Sequence, residues 1–162
     1  MTWEELRWVL LATVSPISEL RGGIPLAVLG YSWNPLLSFL VVVIVNILIF
    51  FPIFFVLRFF YDKVLFRIPL FDKYLDNLRR RGKPKVDKYG FWGLFLFVAV
   101  PLPLTGAYTG TILAWLLGMD WKKAFPAVGL GVIVAGVVVL LITRLIQLGT
   151  IGVPCIFPNW AD

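Results

Sequence analysis

Glu19 and Arg21 are the residues best able to do chemistry in this chain, and they stand where charge is least expected. They lie in Ser15-Pro16-Ile17-Ser18-Glu19-Leu20-Arg21-Gly22-Gly23-Ile24-Pro25, with mostly apolar sequence on both sides. An ionised side chain at mid-bilayer costs ~2.5–3.5 kcal/mol on insertion scales, so such groups pair, face a cavity or do work. Residues two apart point to different sides of a helix, so Glu19 and Arg21 each need a partner elsewhere. Ser15 before Pro16 reads as an N-cap followed by a first-turn proline, and Ser18 as a second cap. A half-helix starting there turns its positive end toward Arg21, a combination that suits a phosphate or carboxylate. A buried carboxyl that loads and unloads a proton suits Glu19. In the second half Thr105, Tyr108 and Thr109 offer hydroxyls to the same site. The bland alternative is a buried ionic network that only fixes helix orientation.

The elements that would hold these residues are broken membrane segments. Residues 3–14 precede Ser15-Pro16 and residues 19–30 follow it. Residues 91–100 precede Pro101-Leu102-Pro103-Leu104-Thr105-Gly106, and an apolar run continues to Gly118. Each arm reaches about 15–20 Å, half a bilayer. The breakers and flexible points are Pro16, Gly22, Gly23, Pro25, Pro101, Pro103, Gly106 and Gly110. Broken backbone at that depth is tolerated only when buried in protein or lining a watery cavity. Either each segment returns to its own face as a re-entrant hairpin, or it crosses as a kinked helix.

An offset of 88 lays Gly22 on Gly110, Gly30 on Gly118 and Trp33 on Trp121. Each half is then a broken segment followed by an intact helix, an arrangement that points to a transporter's binding site. The expected fold is an all-α integral membrane domain of two inverted-repeat halves, each a proline-broken hairpin followed by a transmembrane helix. Its parts are repeat 1 (about 3–60), a basic cytoplasmic loop with an interfacial helix (61–90), repeat 2 (about 91–148) and a tail (149–162). Gly106, Gly110, Ala114 and Gly118 form a small-residue packing ridge, with shorter versions at Gly23/Ala27 and Gly131/Ala135. Asn46 reads as an interhelical hydrogen bond, and Arg58 and Arg144 as snorkelling side chains.

Composition agrees. The chain is 60% hydrophobic over 162 residues, with mean hydropathy +0.90, and its long continuous apolar runs exclude an alternating β-barrel pattern. With no His and one Cys, histidine-based metal sites, Ser–His or Cys–His catalysis and an internal disulfide are excluded. No phosphate-binding loop is present. No metal, cofactor or enzymatic activity is expected. The net charge of +6 comes mainly from residues 61–90, where nine basic residues face four Asp. That clustering signals a cytoplasmic loop rather than nucleic-acid binding.

Glu19-Leu20-Arg21-Gly22-Gly23-Ile24-Pro25 resembles the E-x-R-G-x-I-P signature of the putative small multi-drug export family, and residues 101–110 resemble its second proline- and glycine-rich motif. The likeness runs from about residue 10 to 148. That family looks like a compact relative of the DedA (VTT-domain) superfamily. The resemblance implies two facing re-entrant hairpins in a prokaryotic, multi-pass cell-membrane protein that moves lipids between leaflets. It implies Glu19 as the protonatable group and Arg21 as the phosphate contact. DedA proteins carry a functional arginine in the second hairpin, whereas residues 101–118 have none. Anion binding therefore falls on Arg21 and hydroxyls, or is shared across a homodimer. The leading expectation is proton-coupled translocation of an anionic amphiphile such as a polyprenyl phosphate or phospholipid. The alternatives are proton-coupled export of lipophilic cations and a non-transporting membrane scaffold.

Overall fold

The computed structural model describes residues 2–63, 89–101 and 105–150, and every regular element among them is helical. Helix α1 (Trp3–Val14) starts with a capping box: Thr2 accepts from the Glu5 amide, and Glu5 accepts from the Thr2 amide. It ends at Ser15, whose N–H reaches the Leu11 carbonyl at 3.0 Å. After a turn, α2 (Glu19–Pro25) runs into a π-helical stretch, Leu26–Gly30. Pro25 has no N–H to give, and the backbone beyond it widens until Tyr31 N–H bonds the Leu26 carbonyl at 3.1 Å.

Helices α1 and α2 fold back on each other. The Trp33 indole donates to Glu5 at 3.0 Å at the base. Nearer the tip, a Cβ on Gly23 would lie 2.3 Å from the Thr13 hydroxyl, so the two backbones meet there with no room for a side chain. One contact joins early α1 to the chain just beyond the π-helical stretch and the other joins late α1 to α2, so the two arms run antiparallel.

Helix α3 (Pro35–Lys63) is 29 residues long, or roughly 43 Å at 1.5 Å per residue. It exposes Leu36, Leu40, Ile44 and Leu48 in a stripe on one side and buries Val42, Val43, Asn46, Phe50 and Phe54 on the other. Helix α4 (Tyr89–Ala99) leads to Pro101. Helix α5 (Ala107–Leu116) follows, and a turn with Gly118 at φ 69°, a left-handed conformation open to glycine, leads into α6 (Trp121–Thr150). Residues 35–59 of α3 and 121–149 of α6 are long and apolar enough to cross a membrane. Apolar exposure on such helices is what a membrane-spanning helix presents to lipid.

The core lies where α2, α3, α5 and α6 meet. Helix α3 packs on α5 and α6, and α2 packs on α3 and α6. Phe50 stacks on Phe54 and meets Phe125 of α6 edge-on at 5.4 Å, while Gly136 of α6 receives Val43 and Phe39. Gly110 of α5 and Gly131 of α6 both receive Val98 of α4. The expected breaks after residues 14 and 100 agree with the helix ends to within a residue. The expected 61–90 loop differs at its margins: α3 continues to Lys63, and α4 is already helical at Tyr89. The interfacial-helix reading itself, Pro103 and the tail beyond Thr150 lie outside the described residues.

Candidate functional site

The tip of the α1–α2 hairpin meets the start of α5, and Glu19 and Arg21 make that junction. Glu19 is only 8% exposed, and it is the one buried ionisable side chain among the described residues. Its carboxylate accepts the Tyr108 N–H at 3.3 Å, with the Ala107 amide alongside. It thus fills the N-terminus of α5, where backbone N–H groups lack helical partners and the dipole favours negative charge. Gly106 makes this approach possible, since a Cβ there would stand 1.7 Å from Glu19 Oε2. Glu19 has φ 45°, a left-handed conformation that a non-glycine residue adopts at a cost of about 1–2 kcal/mol. Strain of this kind clusters at functional sites.

Arg21 points to the same junction by a different route. Its Nη2 donates to the Thr105 carbonyl at 2.6 Å and to the Thr105 hydroxyl at 3.2 Å. The Thr105 hydroxyl in turn donates to Val100 at 2.7 Å, tying the end of α4 to the start of α5. No ion pair joins Glu19 to Arg21 among the described residues, in keeping with their two-residue spacing. The N–H groups on Nε and Nη1 of this half-buried arginine have no protein partner among the described residues.

The other expected site residues divide. Tyr108 belongs to the junction twice: its amide serves Glu19, and its hydroxyl donates to the Val14 carbonyl at the hairpin tip. Thr109 turns inward instead and caps its own helix by accepting the Gly106 N–H at 3.1 Å. Ser15 is a C-cap, not an N-cap: its carbonyl accepts the Glu19 N–H at 3.0 Å, and it ends α1 because the chain must reverse there. Ser18 occupies the N-cap position of α2 without a capping bond, and its hydroxyl donates to Ala12 across the turn. Ser15 through its main chain and Ser18 through its hydroxyl both shape the turn.

The flexible points divide likewise. Pro16 sits in the turn and Pro101 beyond the end of α4. Gly22, Gly23 and Pro25 are interior to α2, and Gly110 is interior to α5. These glycines permit close packing: Gly22 on Ser18, Gly23 on Thr13 and Val42, Gly110 on Val98. Asn46 departs most from expectation. It is completely buried, and neither atom of its amide has a hydrogen-bond partner among the described residues. Leaving a buried polar group unpaired costs about 1–3 kcal/mol, so an interhelical bond does not explain it. Arg144 is exposed and bonds Gln147 at 2.9 Å.

Sequence reasoning missed the clasp at the hairpin base. Trp33 is the main cause holding the Glu5 carboxyl down at about 2, with the Thr2 amide second. The T-x-x-E pattern of Thr2 and Glu5 was the available signal.

No curated protein and no solved structure matches the chain. A family model described as "Putative small multi-drug export protein" matches residues 19–138, a span that opens on Glu19 and covers both halves of the junction. The chain therefore belongs to this small multi-drug export family, a family of transporters by its description.

Proposed function

We propose that the protein moves an anionic amphiphile, such as a polyprenyl phosphate or phospholipid, across the membrane with protons coupled through Glu19. The observation that carries this is the state of Arg21: half-buried, held by one nitrogen, with its remaining donors unpartnered among the described residues. A guanidinium with N–H groups to spare in a partly buried setting donates strongly to phosphate or carboxylate oxygens. The Glu19 carboxylate already occupies the α5 N-terminus as an internal anion. An incoming head group held by Arg21 competes with it for the α5 N-terminal amides, and a proton on Glu19 weakens the internal competitor. That competition is the physical basis of the coupling.

Several features support inverted repeats with re-entrant hairpins. Helices α2 and α5 begin 88 residues apart, at Glu19 and Ala107, and the exchanged pairs α2–α6 and α3–α5 both pack. The second half of α3 lies toward the start of α6, where Phe50 and Phe51 meet Phe125. Lys122, Lys123 and the basic 61–90 segment favour the cytoplasm for that end. The base of the first hairpin, with Glu4 and Glu5, then opens outside.

A second reading, export of lipophilic cations, draws on the family's description and would use Glu19 as the cation site. Arg21 repels such a substrate. Native mass spectrometry of gently extracted protein, wild type beside Arg21→Ala, separates the readings. A phosphate-bearing lipid held by wild type and lost from a folded Arg21→Ala is expected. The same lipids on both, or none on either, would overturn the anion site. Retention of tetraphenylphosphonium that requires Glu19 but not Arg21 would favour the cation reading.

A further inference from the structure

Asn46 sits mid-way along α3, and two independent chains of contacts bring it level with the Glu19 junction. The first runs through α2. Gly23 meets Val42, and α2 and α3 are antiparallel because the chain reverses between Gly30 and Pro35. One turn back from Gly23 is Glu19, and one turn on from Val42 is Asn46. The second runs through α5 and α6, antiparallel across the short turn between Leu116 and Trp121. Gly110 lies over Val128, so Gly106, one turn back, falls opposite Val132. On α3, Val43 packs at Gly136 and Phe50 at Phe125, which brings Asn46 opposite the same turn of α6.

The direction of Asn46 follows from its neighbours. Val42, one turn before it, faces α2; Phe50, one turn after it, faces α6. Asn46 therefore looks into the seam between α2 and α6, behind the carboxylate that holds the hairpin to α5. In this conformation the seam is shut, with no water-sized space at either amide atom. A buried amide with neither a partner nor room for water marks a conformation whose missing partner arrives in another.

We propose that Asn46 is a polar binding residue of the transport path, satisfied when the seam between α2 and α6 opens and a hydrogen-bonding group enters. An amide both donates and accepts, so it takes groups that do the same: water filling the path and the protonated head group of an anionic amphiphile. Glu19 is the latch on this seam, because its bond to α5 fixes the end of α2. This inference rests on the transporter reading, and the two fail separately. Arg21→Ala tests lipid-phosphate binding without touching α3, while the Asn46 variants test access to the seam.

The experiment is thiol accessibility in the full-length protein. Cys155 is the single native cysteine, so Asn46→Cys is made with Cys155→Ser and reconstituted in vesicles of phosphatidylcholine alone. A charged, membrane-impermeant methanethiosulfonate should label Asn46→Cys slowly, against a fast exposed control at Thr2→Cys. Adding Glu19→Gln should raise the labelling rate at least several-fold. Protection by added phosphatidic acid identifies the lipid head group as an occupant; labelling without protection leaves water as the occupant of the open seam. Absence of labelling over hours, with and without Glu19→Gln, overturns the proposal. Asn46→Leu gives an independent reading. Losing an unpaired amide should leave the thermal midpoint at or above that of the parent, whereas a clear fall would show that Asn46 already has a stabilising partner in the closed fold.

Discussion

Gly106→Ala tests the junction at its tightest point. The added methyl carbon would lie 1.7 Å from Glu19 Oε2 and 2.5 Å from its Cδ. Carbon and oxygen settle no closer than roughly 3.2 Å, so the carboxylate must retreat by roughly 1.5 Å. Its bond to the Tyr108 amide already spans 3.3 Å and does not survive such a shift. The backbone is not the obstacle, since Gly106 has φ −170°, an extended conformation open to alanine. A hydrogen bond to a charged group contributes about 1.5–3 kcal/mol. Weakening the junction by that much raises the population of the detached hairpin by about 10- to 150-fold. The assay is a double-mutant cycle read by thermal unfolding in detergent, using Gly106→Ala, Glu19→Ala and the pair. With the Glu19 side chain gone the methyl has nothing to displace, so Gly106→Ala should cost little in that background. An equal cost in both backgrounds would refute the account and assign Gly106 a backbone role.

The remaining predictions concern the hairpin and its base. Gly23→Ala drives a methyl into Thr13 and Val42 and should destabilise by about 1–3 kcal/mol, as overpacking does; Gly93→Ala, with open space around it, should be neutral or slightly stabilising by helix propensity, both read by thermal shift. Thr105→Val removes the hydroxyl that Arg21 and Val100 share but keeps the carbonyl, so Arg21→Ala should weaken phosphate-lipid retention more than Thr105→Val does. The Glu5 carboxyl, held at about 2 against an ordinary 4.5, lies outside the spanning helices. Because its folded value is depressed, its stabilising contribution is present above pH 4.5 and is lost as pH falls from there toward 2. Wild type should exceed Glu5→Ala in thermal midpoint at neutral pH, and the two should converge near pH 2.

The breaks in the chain were legible because they have local causes. Ser15-Pro16 and Pro101 interrupt apolar runs, and each proline removes a backbone donor and crowds the preceding turn, although Pro25, Pro52 and Pro126 are carried inside helices. The intact helices were legible from length and hydropathy alone. Whether a broken segment crosses or returns was not, because that depends on Trp33 finding Glu5 and Gly23 finding Thr13 across the turn. The same tertiary demand reversed the reading of Ser15. Ser-Pro is a sound helix start by local rules, yet the reversal needed a residue to close α1, and the next helix waited for Glu19.

Glu19 and Arg21 announced themselves because charge in an apolar stretch is expensive wherever it falls. Their partners did not, and the reason is chemical. Glu19 binds a backbone N–H and lies over a glycine Cα, while Arg21 bonds a backbone carbonyl. Every residue carries such groups, so no side-chain pattern reveals which ones a fold will leave open. Thr105 and Tyr108 were located by their hydroxyls, yet both serve the junction through the main chain as well. Gly106 read as a flexible point, and its function is the absence of a side chain where a carboxylate must pass. Asn46 marks the opposite limit. Its amide is conspicuous in the sequence and suggests a partner, but only the folded chain shows that the partner is missing. A site whose groups answer one another through backbone and empty space is therefore half visible in sequence: the charges are visible, and what receives them is not.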